Sequence, residues 1–161
     1  MVFTVGTATA TGTTDGDGHA TAPITLVGPA GKPGLQASFA GAGPYGPSSA
    51  TAQFTVDKED TKLTLSDAVA TKGKSAPAAA VLVDADDGPL TGLTITFSVQ
   101  QKVKNVITWI PVGTAVTDAN GAASVLIPSK YISTQPAPIK AVFAGDDSFL
   151  ASEVNAITYR K

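Results

Sequence analysis

In the run Leu93-Thr94-Ile95-Thr96-Phe97-Ser98-Val99 an apolar residue falls at every second position. That is the period of a strand with one face buried and one wet. Phe97 is the expected core anchor. Comparable alternating or β-branched runs occupy residues 61–65, 78–83, 106–110, 122–127, 139–144 and 154–159. Gly, Pro, Asp and Asn clusters separate them every ~8–12 residues, the spacing of an all-β sandwich or barrel. No stretch carries a convincing helical period.

The chain also repeats itself. Thr14-Asp15-Gly16-Asp17-Gly18-His19-Ala20 resembles Thr117-Asp118-Ala119-Asn120-Gly121-Ala122-Ala123, and Phe39-Ala40-Gly41 with Tyr45 and Ser48 matches Phe143-Ala144-Gly145 with Phe149 and Ser152. The opening Phe3-Thr4-Val5 matches Phe97-Ser98-Val99 at a smaller offset, which predicts a longer hairpin between residues 99 and 117 in the second copy. A period of roughly a hundred residues is one sandwich domain. Residues 58–161 hold a full set of candidate strands. Residues 1–57 match only the second part of that set and have no counterpart to residues 58–92, with Lys58, Glu59 and Asp60 at the boundary. A sandwich short of its first two strands exposes sheet edges and apolar interior. Three arrangements would account for it: a fragment of a longer array, strands supplied by a neighbouring chain, or repacking of the half-domain on the full one.

Two segments carry a family resemblance. Val116-Thr117-Asp118-Ala119-Asn120-Gly121-Ala122-Ala123 resembles the turn through which bacterial immunoglobulin-like domains enter a strand. Val142-Phe143-Ala144-Gly145-Asp146-Asp147-Ser148-Phe149-Leu150-Ala151-Ser152 resembles the aromatic-x-Gly-Asp segment of the same tandem repeats, of the Big or invasin type. Both recur, in the same order, in the first copy. The resemblance implies an immunoglobulin-like Greek-key β-sandwich in tandem, the first copy lacking its first strands. It also implies a bacterial extracellular or cell-surface setting, a spacer, stalk or adhesive role, and neighbouring immunoglobulin-like domains of the same or another chain as partners. At Gly18 and Gly121 the turn needs positive φ, and the preceding Asp or Asn is expected to close it through its side chain.

Composition narrows the field. With 16 Gly, 11 Pro and 15% charged residues against 43% hydrophobic ones, a packed core is affordable and a charged disordered tail is excluded. Lys plus Arg total 11 and Asp plus Glu 13, with no basic patch for nucleic acid. No run approaches the ~20 apolar residues of a membrane-spanning helix, and the opening Met1-Val2-Phe3-Thr4-Val5 lacks the marks of a signal peptide. The absence of cysteine removes disulfides and thiolate metal sites.

Candidate chemistry is sparse. His19, the single histidine, aligns with Ala122 and reads as a solvent-facing structural residue; no acid, base and nucleophile constellation can be assembled, so no catalytic residue is assigned. Asp84, Asp86, Asp87, Asp118, Asp146 and Asp147 fall in loops and are calcium candidates, since calcium takes six to eight oxygen ligands; ordinary acidic turns are the simpler reading, and Ala42 stands in for Asp146 in the first copy. Lys62 and Asn155 are candidates for an intramolecular amide bond, although residues 122–127 supply no assisting acid. Trp109, with Tyr131 and Phe149, is a candidate platform for sugar rings or a packing residue. Thr7, Thr9, Thr11 and Thr13 alternate as a strand face would. The sequence therefore points to a non-catalytic structural, spacer or adhesive module of a secreted or surface protein. Its alternatives are a self-assembling, pilus-like filament subunit completed by strand donation and a carbohydrate-binding ancillary domain facing glycan or a host protein.

Overall fold

The computed structural model describes residues 1–26 and 28–161. The alternating runs form strands throughout, and two compact units result, Met1–Lys58 and Glu59–Lys161. The N-terminal unit holds β1 (Val2–Val5), β2 (Ala8–Thr11), β3 (Gly34–Phe39) and β4 (Ser48–Gln53) in one antiparallel sheet of order β2-β1-β3-β4. The C-terminal unit holds β5 (Thr61–Leu65), β6 (Ala68–Ala70), β7 (Ala76–Asp84), β8 (Thr94–Val103), β9 (Val106–Val116), β10 (Ala122–Ile127), β11 (Ala137–Phe143) and β12 (Ser152–Arg160), with a short 3-10 turn at Ser129–Tyr131.

These eight strands make two sheets packed face to face, of orders β10-β7-β5 and β6-β12-β11-β8-β9. Alternation dictates the packing. Ala76, Ala78, Ala80 and Leu82 of β7, with Ala123 and Ile127 of β10, turn inward from one sheet; Ile95, Phe97, Val99, Ile139, Ala141 and Phe143 meet them from the other. Phe97 is 2% exposed. The small alanines of β7 thus share one core with the bulky residues of the opposite sheet.

The two larger sheets share a register. Phe3 pairs with Ala37 and Val5 with Leu35 in the N-terminal unit, as Phe97 pairs with Ala141 and Val99 with Ile139 in the C-terminal one. Leu35 then pairs with Ala52 as Ile139 pairs with Ala156. Among the described residues of the N-terminal unit no second sheet covers the first and none is fully buried. Phe3, Val5, Leu35 and Ala37 are half-buried where their C-terminal counterparts are fully enclosed.

The differences from the sequence-based strands have local reasons. Residues 93–99 were expected to end at Val99, but β8 continues through Gln100, Gln101 and Lys102 because β9 pairs with it to the hairpin turn, where Lys104 and Asn105 take φ of 49° and 67°. Beyond the expected run of 106–110, Pro111 and Gly113 also lie inside β9. The strand tolerates them because it stands at the sheet edge and a bulge between Phe97 and Ser98 absorbs the irregularity. The three-residue β6 has no detectable period; parallel pairing of Ala68, Val69 and Ala70 with Thr158, Tyr159 and Arg160 creates it.

Gly121 has φ of 72°, and a β-carbon there would collide with the carbonyl oxygen of Leu82. Gly18 has φ of 85° but open space around it. Gly121→Ala is therefore expected to combine collision with strain of about 1–3 kcal/mol, lowering the C-terminal unit's Tm by about 4–8 °C per kcal/mol lost. Gly18→Ala carries the strain alone. Thermal melts of the two variants check this; equal losses would count against the close approach at Leu82.

Candidate functional site

The acidic residues singled out from sequence sit in loops built on one pattern. Asp118 Oδ1 accepts the backbone N–H groups of Asn120 and Ala122 at 2.8 and 2.9 Å, while Gly121 N–H donates to the Asp118 carbonyl at 3.0 Å. Asp15 Oδ1 accepts the N–H groups of Asp17 and His19 at 3.0 and 2.9 Å, and Gly18 N–H donates to the Asp15 carbonyl at 3.2 Å. Asp84 does the same with Asp86 and Gly88 at 3.0 and 2.7 Å, and there Asp87 takes the positive-φ place with φ of 65°. In each loop the aspartate occupies the first position and its Oδ1 accepts the backbone donors, an Asx-type closure. This corrects the expectation that the residue just before the glycine closes the turn: Asp15 and Asp118, three residues earlier, do so. The third loop shows in sequence as an Asp followed three residues later by a residue able to adopt positive φ, a signal hidden by the run of acids.

Asp146 Oδ1 accepts the N–H groups of Ser148 and Phe149, both at 2.8 Å. In the N-terminal unit Ala42 keeps the matching backbone bond to Tyr45 without a carboxylate. Strand ends place the loops starting at Asp84, Asp118 and Asp146 at the same end of the C-terminal unit, where β5 begins. Asp87 there forms an ion pair with Lys62 at 2.8 Å, and Lys62 Nζ also donates to the Ala85 carbonyl at 3.2 Å. Asp86 and Asp147 are exposed. Among the described residues no three His, Cys, Asp or Glu side chains are grouped as a metal would need.

The remaining candidates separate. Lys62 lies on the three-stranded sheet, and Asn155 is exposed on the other sheet, paired with Lys140; the two are not brought together. His19 is exposed, its backbone closing the Asp15 loop. Thr9 and Thr11 are exposed on β2, whereas Thr7 and Thr13 lie outside it. Tyr131 and Phe149 pack against the core. Trp109 is on the opposite, outward face of β9, half-buried and paired with Gln100. The Lys140 ammonium sits 5.0 Å from its ring centroid and 3.3 Å from Glu153 Oε2. The row Trp109, Lys140, Glu153 thus crosses the outer sheet face as a cation–π contact continued by an ion pair. Sequence reading missed this row, because its members meet only once β9, β8, β11 and β12 are side by side.

Hydrogen bonding to Asp87 first, and its charge second, hold the Lys62 ammonium above the ordinary value of 10.5. A raised lysine pKa contributes stability below the ordinary value and loses it as pH rises through the raised one. The urea-midpoint difference between the native chain and Lys62→Met is expected to be small and constant from neutral pH upward and to vanish in strong alkali. A difference that grows with alkali would contradict the pair. Lys140→Ala is expected to increase acrylamide quenching of the single tryptophan with little change in Tm, since it uncovers the ring on a solvent-facing sheet surface. Unchanged quenching would contradict the contact.

No protein-family model matches the chain, and no curated protein sequence matches it either.

Proposed function

We propose that this chain is a non-catalytic structural spacer of an exported bacterial surface protein. On this reading the C-terminal unit is an immunoglobulin-like Greek-key sandwich and the N-terminal unit is the second part of a like domain. The shared sheet register and the paired Asp loops support the tandem reading, and the passage of the chain from β5 in one sheet to β6 in the other supports the immunoglobulin-like one.

The observation that carries the spacer role is the parallel pairing of β6 with β12, the first and last strands of the five-stranded sheet in chain order. Thr158 is fully buried and its hydroxyl donates to the Ala68 carbonyl at 2.9 Å; Ile157 N–H donates to Asp67 Oδ1 at 3.1 Å and Lys161 N–H to the Ala70 carbonyl at 3.0 Å. Tension along the chain pulls two parallel neighbours in opposite directions along their axes. Their hydrogen bonds are then strained together, in shear, whereas pulling a hairpin open breaks them one at a time. A spacer needs that resistance.

The test is to pull the 161-residue chain by single-molecule force spectroscopy. Handles at Glu59 and Lys161 are expected to give a markedly higher unfolding force for the C-terminal unit than handles at Thr94 and Val116, which are paired across β8 and β9 and would unzip. Thr158→Val should reduce the first force and leave the second unchanged. Equal forces in both geometries would overturn the spacer reading.

A further inference from the structure

The C-terminal unit shows what covers a sheet of this register. Its face of Phe97, Val99, Ile139 and Ala141 is closed by β5 and β7, with β10 joined to the cover through β7 alone, Ala123 opposite Ala80 and Ile127 opposite Ala76. In the N-terminal unit the residues standing in the place of β10 are 19–24. Ala20, Ala22 and Ile24 are half-buried and Thr21 and Pro23 exposed, the alternation of a strand, yet the segment is in no sheet. Its proline takes the place of Leu126, a residue whose own partner is Pro77, so this pairing position already accommodates a proline.

Between this segment and the sheet lies an open apolar cleft of about 370 Å³, lined by Phe3, Val5, Ile24, Leu26, Leu35 and Phe54 among others. Tyr45 extends the same comparison. Its counterpart Phe149 packs against the core beneath a strand bridge to Glu59, whereas Tyr45 is 74% exposed.

We infer that the N-terminal unit is a strand acceptor. Its occupant is a strand of another polypeptide with the chemistry of residues 59–92: an extended strand of alternating small apolar residues, as in Ala76–Asp84, pairing antiparallel with residues 19–24 and closing the cleft over Phe3 and Leu35. Main-chain pairing gives such a complex affinity, and the small side chains on the inward face give it specificity, because larger ones would not fit against Phe3 and Phe54. Pairing converts half-buried side chains into a closed core, so the acceptor gains stability along with the partner. This property concerns the N-terminal unit and the spacer reading concerns tension across the C-terminal one, so the two fail separately.

The experiment adds a synthetic peptide of the sequence of residues 59–92 to the isotope-labelled 161-residue chain. Expected are saturable NMR shifts confined to the N-terminal unit and amide exchange within residues 19–24 slowed by about an order of magnitude. A peptide of equal composition with its alternation scrambled should produce neither. As a second measurement, a chain carrying an extra copy of residues 59–92 ahead of Met1 should raise the melting temperature of the N-terminal unit and leave that of the C-terminal unit unchanged. Absence of binding together with an unchanged melting temperature overturns the proposal. So do equal binding of the scrambled peptide and self-association of the unmixed chain that protects residues 19–24, the last of which assigns the face to a second copy.

Discussion

Burial of one apolar sheet face decides how firmly each unit is held. Enclosing a large aliphatic or aromatic side chain contributes about 1.5–3 kcal/mol, against a total stability of about 5–15 kcal/mol for a typical domain. Three or four such residues are therefore decisive. In the C-terminal unit Phe97, Val99 and Ile139 are enclosed beneath β5 and β7; in the N-terminal unit Phe3, Val5 and Leu35, at the same pairing positions, are half-buried. The sheets agree and the cover does not. Whatever sets the cover sets the cooperativity of the fold.

The aspartate-closed loops depend on no such cover. Asp15 forms its two side-chain bonds in the unit without a second sheet as Asp118 forms its pair in the unit with one. Within these loops the acidic side chain is a structural acceptor, taking up donors that the turn would otherwise leave unmet. Local chemistry of this kind fixes where strands reverse. It leaves to long-range packing the question of which strands meet.

That division also marks what the sequence made legible. The alternation around Phe97 placed β8 and its inward face, and the two Asp-to-Gly segments revealed equivalent turns, because both signals lie within a few residues. β6 was illegible, since Ala68, Val69 and Ala70 become a strand only when residues about ninety positions later lie alongside them. The length of β9 was hidden by Pro111 and Gly113, whose usual meaning is reversed by an edge position and a bulge. The acids were legible as loops, but their pairing with backbone N–H groups depended on the turn conformation. Trp109 could be named and not placed, because its outward face and its lysine neighbour belong to the assembled sheet.

Pro111 has a consequence for crowded surroundings. β9 is eleven residues long and ends its sheet, with Val106, Ile107 and Val116 exposed, so its free backbone groups are a template for a strand of another molecule. The proline removes a donor near the middle, and the adjoining bulge twists the ladder there. A foreign strand finds two short stretches in place of one long one, and neither alone gives a continuous run of bonds from which a fibre would grow.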